Sequence, residues 1–84
     1  MLNIAPADLS GISSSEVHEA ERLAQAALAT SPQFELRELS VHYDHSQLLI
    51  TGRVHCFYHK QLAQETVRPY AQELGMVNQV QVLP

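Results

Sequence analysis

The chain has almost no cysteine. Cys56 is the single copy in 84 residues, which excludes an internal disulfide and fits a reducing compartment. Basic residues are scarce as well: five Lys and Arg stand against nine Asp and Glu, a formal charge of −4 with histidine neutral. A surface of that sign disfavours nonspecific contact with nucleic acid or anionic lipid, because both collect on positive patches. Glycine is sparse and scattered, at Gly11, Gly52 and Gly75, so there is no glycine-rich phosphate loop. No Lys or Arg precedes Arg22, and Asn3, Pro6, Asp8 and Ser10 interrupt the apolar residues of the start. A secretory signal is therefore not expected. Neither is a membrane span, which needs about 20 apolar residues in a row. The expected location is cytoplasmic.

What is present describes a small folded domain. Apolar residues make up 45% and charged residues 17%, the balance of a chain that can close a core. A chain of this length hides only about 60% of its unfolded surface on folding, which leaves little room for a deep enclosed active site. Residues 1–11 carry no sustained period and read as a flexible arm, with Leu2, Ile4 and Leu9 able to dock on the body. Residues 12–84 read as one domain. Ser13 to Glu16 has the spacing of a capping box, and a helix follows to about Thr30. Val17, Ala20, Leu23, Ala24, Ala27 and Leu28 share one stripe of it, with His18, Glu21, Arg22 and Gln25 opposite. Ser31-Pro32 ends the helix, because proline disfavours the helical region for its predecessor.

Leu39, Val41 and Tyr43 then alternate with Glu38, Ser40, His42 and Asp44, the period of a half-buried strand. Asp44 to Gln47 supplies turn chemistry, and Leu48, Ile50 and Val54 alternate in a second strand. Pairing Tyr43 with Leu48 also pairs Val41 with Ile50 and Leu39 with Gly52, which stacks the apolar sets on one face. A slip of one residue undoes that. The same register sets Ser40 beside Thr51 and Glu38 beside Arg53, both favourable cross-strand pairs. Glycine inside a strand marks a bend or a close approach of another backbone, so Gly52 is expected to be a point of tight packing. A second helix is predicted from about Tyr58 to Leu74, with a stripe of Leu62, Ala63, Thr66, Val67, Tyr70, Ala71 and Leu74. Pro69 is expected to kink it and Gly75 to stop it. Val77 to Leu83 reads as a third strand, with Asn78, Val80 and Val82 on one face and Gln79 and Gln81 on the other. The fold class is α+β in the order αββαβ, a two-layer sandwich with both helices on one face of a three-stranded sheet. The other face carries Glu38, Ser40, His42, Thr51, Arg53 and Gln79, with Leu49 as its lone apolar residue.

The run Leu48-Leu49-Ile50-Thr51-Gly52-Arg53-Val54 resembles the apolar-x-Leu-x-Gly-x-Val strand of the BON domain family. The spacing to a helix holding Lys60, Ala63, Glu65 and Val67 is also similar, as is the ending Val77-Asn78-Gln79-Val80-Gln81-Val82. The resemblance covers roughly Glu35 to Val82. It implies an α/β sandwich and a noncatalytic binding module that associates with a phospholipid surface or a protein partner.

Five histidines and one thiol raise two other chemistries. His42 with His45, and His55-Cys56 with His59, form two groups. The hairpin register sets them roughly 20 Å apart at ~3.3 Å per residue, too far for one subunit to gather zinc ligands. A histidine-dependent metal-binding or redox protein is the alternative class of function, and solvated histidines are the bland reading. Cys56 lacks the base and orienting group in the geometry that a nucleophilic thiol needs, so no catalytic residue and no cofactor is expected. The least bland stretch runs from Arg53 to Lys60. Arg53, Phe57, Tyr58, His59 and Lys60 are the candidate binding residues, with aromatics to enter a partner and cations to steer it. The competing reading has Phe57 stapling the start of the second helix. The element order superficially resembles that of KH domains, but the Gly-x-x-Gly loop and a basic stripe are missing, so nucleic acid is not an expected partner. The acidic charge favours a protein partner or weak self-association over lipid.

Overall fold

The computed structural model describes residues 14–84; the expected arm 1–11 and the Ser13 half of the capping box lie outside the described residues. Helix α1 spans Ser14–Ala29, and Val17, Ala20, Ala24 and Leu28 are its buried residues. Their spacing of three and four keeps them on one side of a 3.6-residue turn. The Thr30 hydroxyl donates to the Ala26 carbonyl at 2.9 Å and closes the last turn. Beyond Pro32 the chain makes a five-residue 3₁₀ turn, Phe34–Glu38, with Leu36 buried inside it. Strand β1 (Ser40–Asp44) and strand β2 (Gln47–Thr51) form an antiparallel hairpin. His45 and Ser46 join them, both at positive φ, as a two-residue turn that follows the sheet's twist requires. Strand β3 (Arg53–Val54) continues beyond Gly52, helix α2 covers Phe57–Ala71, and strands β4 (Gly75–Asn78) and β5 (Gln81–Val82) complete the chain.

The hairpin has the expected register: Ser40 faces Thr51, Val41 faces Ile50 and Tyr43 faces Leu48. Strand β4 pairs in parallel with β2, and β5 pairs in parallel with β3. Gln47 pairs with Gly75 and Arg53 with Gln81, at the same separation in sequence, so the two ladders share one register. Backbone N–H groups of Gln79, Gln81 and Leu83 donate to the carbonyls of Ile50, Gly52 and Val54 at 2.8–2.9 Å, which carries the pairing past the break. The third strand thus lies along the second, in the order β1-β2-β4. The architecture is α+β. Val41, Leu48, Ile50, Val54 and Val80 of the sheet share a buried core with α1 and with Ala63, Val67 and Ala71 of α2. Each fully buried Leu, Ile or Val in such a core contributes about 1.5–3 kcal/mol.

Several expectations need correction. The first strand begins at Ser40, because residues 34–38 coil into the 3₁₀ turn, closed by the Leu39 N–H donating to the Leu36 carbonyl at 3.2 Å. Glu38 is therefore in that turn and outside the hairpin ladder, so it forms no cross-strand pair with Arg53, whose strand partner is Gln81. Tyr43 is exposed although its strand partner Leu48 is buried, because it stands on β1, the outer strand of the sheet. The second helix runs through Pro69 and ends at Ala71, capped by Gln72 at φ 56°. Gly75 is the first residue of β4, beside the Gln47 side chain, rather than the helix stop. Leu49 is not alone on the open face, because Val77 pairs directly beside it.

Two contacts fix the sheet. Gly52 sits at φ +132°, and a Cβ there would stand 2.5 Å from Leu39 Cδ2 and 3.3 Å from Leu39 Cα. This is the tight approach expected of a glycine within a strand. At the outer edge of β1, the Gln25 side-chain amide donates to the Leu39 carbonyl at 2.9 Å and accepts the Val41 N–H at 2.8 Å. One turn earlier, the Glu21 carboxylate accepts the Tyr43 N–H at 3.0 Å. Four helical residues rise about 6 Å and two strand residues about 6.8 Å, so side chains one turn apart on α1 match backbone groups two residues apart on β1. Gln25 bonds as one residue of a parallel neighbouring strand would, and α1 seals that edge.

Replacing Gly52 with Val combines backbone strain with overpacking and is expected to destabilise the domain by roughly 3 kcal/mol. An unchanged thermal midpoint would refute the packing role. Replacing Gln25 with Ala leaves a strand N–H and a carbonyl without their partner. The expected loss is about 1–2 kcal/mol in chemical denaturation with the fold intact, and a loss within error of zero argues against the edge seal.

Candidate functional site

The 3₁₀ turn lies against β3 and the start of α2, and this brings Glu35 to residues 20 and 24 positions further along the chain. Glu35 Oε1 accepts the backbone N–H of His55 at 2.9 Å and contacts His59 Nδ1 at 2.9 Å. Its Oε2 is bonded to His55 Nδ1. A carboxylate can only accept, so both imidazoles present Nδ1–H to it, and Nε2 is the nitrogen each has left for other contacts. Among the described residues no hydrogen bond engages either Nε2. Three hydrogen bonds to the charged form hold the Glu35 carboxyl down at about 2, led by the His55 side chain, then the His55 backbone, then His59. That cause outweighs partial burial, which acts the other way.

The clasp residues have solvent-exposed aromatic neighbours along the chain. Among the described residues the exposed large apolar side chains are Phe34, Tyr43, Phe57 and Tyr58. Three of them border the clasp in sequence: Phe34 next to Glu35, and Phe57 and Tyr58 between His55 and His59. They are 70%, 74% and 63% exposed. The Tyr58 and His59 rings lie 5.6 Å apart, tilted by 49°. Phe57 is the first residue of α2 and does not staple it, because a residue so exposed is not packed on the next turn. Cys56 occupies the N-cap position with an extended backbone and no side-chain capping bond. The helix start is thus held by the Glu35 clasp rather than by a cap of its own.

Of the expected set, the Tyr58 and His59 rings lie against each other, and Phe57 is exposed at the start of the same helix. Arg53 lies exposed on β3, and Lys60 is half-buried in the first turn of α2. Among the described residues neither side chain makes an ion pair. Glu35 and Phe34 are the residues that sequence reasoning missed. The available signal was the spacing of Leu36 and Leu39, three residues apart, which is the period of a 3₁₀ turn and puts Phe34 and Glu35 off the buried side. His42 is exposed on the sheet, and His45, in the hairpin turn, has its Nδ1 3.0 Å from Asp44 Oδ2. Among the described residues no group of three or more His, Cys, Asp or Glu is placed to hold a metal ion, and no helix is long and apolar enough to cross a membrane.

The depressed Glu35 carboxyl gives a pH dependence. A carboxyl whose folded value is about 2 against an ordinary 4.5 adds stability above the ordinary value and loses it as pH falls toward the folded one. Glu35→Gln is therefore expected to lower the thermal midpoint at pH 6. The gap to the wild type should shrink as pH is taken from 4.5 toward 2. A gap that stays constant across that window argues against the clasp. The sequence matches no protein-family model and no curated protein.

Proposed function

We propose that the chain is a noncatalytic binding module of BON type that docks on a protein partner through the aromatic corner of Phe34, Phe57 and Tyr58. The observation that supports this reading is the exposure of three large aromatic side chains that directly flank the clasp residues along the chain. Singly exposed apolar residues are ordinary, whereas apolar groups gathered on one surface are what interfaces use. Aromatics dominate binding energy because they bury large areas at low entropic cost. The clasp of Glu35 with His55 and His59 supports the corner from beneath, because it holds the 3₁₀ turn against α2. Rings presented on a fixed base lose less freedom on binding than rings on a loose loop. Arg53 and Lys60, without an ion pair among the described residues, add positive charge near the corner on an otherwise acidic chain.

A phospholipid surface is the competing partner, and the net charge of −4 weighs against it through repulsion by anionic headgroups. The test compares wild type with the double variant F57S/Y58S. Both variant positions are exposed, so the fold should stand. Affinity capture from native extract followed by mass spectrometry is expected to yield a protein that the wild type retains and the double variant loses. Neither form should sediment with zwitterionic or anionic vesicles at low or high salt. Equal capture by both forms removes the corner from the interface, and sedimentation of the wild type alone makes lipid the ligand.

A further inference from the structure

The two edges of the sheet are treated differently. The β1 edge is closed by Gln25 and Glu21. The opposite edge is β4, whose Gly75 and Gln79 N–H groups point at β2. Strand alternation then turns the N–H and C=O groups of Met76 and Asn78 outward, and no hydrogen bond among the described residues engages those two N–H groups. The next outward N–H, that of Val80, is taken by the Asn78 side-chain oxygen at 3.2 Å. The same Asn78 side chain donates to the Lys60 carbonyl at 2.9 Å and so pins the strand to α2. The result is a short rigid edge with one window of unpaired backbone, from Met76 to Asn78.

Exposed edges are usually guarded by charge, proline or a covering element. Here residues 74–83 include no charged residue and no proline. From these observations we propose that this window is the interface for a second copy of the chain, paired antiparallel across a two-fold axis at Val77. In that register Met76 and Asn78 exchange backbone hydrogen bonds with Asn78 and Met76 of the partner subunit, four bonds in all, which satisfies the whole window. Val77 then faces the partner's Val77 as the non-hydrogen-bonded pair on the open face of the sheet. Leu49 lies directly beside Val77 within each copy, so the two half-buried residues form a continuous apolar row with their counterparts. A second copy fits because the strand is uncharged and meets itself without repulsion, which the rest of a −4 chain would not. It also gives Val77 an apolar neighbour on its outer side, where β4 has no strand beside it. With the β1 edge sealed, the pairing closes at two copies.

An interface this narrow is small against the ~1,200 Å² at the low end for stable complexes, so the dimer forms at high protein concentration. The proposal is independent of the aromatic corner. Cross-linking tests its register: Cα atoms of a non-hydrogen-bonded antiparallel pair stand about 4.5 Å apart, within the ~4.4–6.8 Å that a disulfide spans. The double variant C56S/V77C is expected to form a covalent dimer on mild oxidation. C56S/Q79C, on the same face but two residues from the axis, should lag at least tenfold. Wild type should show a concentration-dependent mass in analytical ultracentrifugation up to near-millimolar, and V77K, which sets two ammonium groups against each other, should remain monomeric with an unchanged circular dichroism spectrum. A wild type that is monomeric throughout, or C56S/Q79C cross-linking as fast as C56S/V77C, overturns the proposal.

Discussion

Leu39 rests on Gly52, and much of the molecule follows from that contact. With a side chain at position 52, the Leu39 backbone could not come so close. The 3₁₀ turn that ends at Leu39 would then stand away from β3. Because it does not, Glu35 reaches His55 and His59, and the turn, the residue that follows β3 and the start of α2 meet at one carboxylate. The same glycine interrupts β2 and β3 without interrupting their shared register with β4 and β5. A local conformation open to glycine therefore allows both the unbroken sheet and the corner beside it.

That corner works by division of labour. Leu36 and Val54 are fully buried beneath it, Glu35 fastens it, and Phe34, Phe57 and Tyr58 are left outside. A carboxylate with three donors is satisfied, so the rings are presented by a base that has no other polar demand to meet. Both imidazoles direct Nδ1 to this one carboxylate, which ties their ring orientations to the 3₁₀ turn.

Sequence pattern carried the hairpin register, both helix faces and the presence of a strand after the second helix, because each rests on a period repeated over several residues; that period leaves open which strand the last one pairs with. Val41 with Ile50 and Val17 through Leu28 are of that kind. The 3₁₀ turn did not announce itself, since five residues hold barely two repeats of a three-residue period, and Glu35 went with it. Glu21 and Gln25 read as a solvated helix face, yet they bind the strand edge. Side chains that substitute for a neighbouring strand look like any other polar residues until the helix is laid against the sheet. Gly75 misled for a related reason: Gln72 takes the positive φ at the helix end, a position that glycine usually fills. At the aromatic stretch, sequence favoured a staple over a contact surface, and the exposure of Phe57 removes the staple.

The parallel course of β4 and β5 beside β2 and β3 also sets an order of events in time. A hairpin closed by two residues, His45 and Ser46, needs little search and forms within about 1–10 μs in isolated systems. Strands running in the same direction must wait for the intervening helix to be laid down, and closing so long a connection slows nucleation. Helix α1 and the hairpin are therefore expected to assemble first, and the C-terminal ribbon to join last on the template they form.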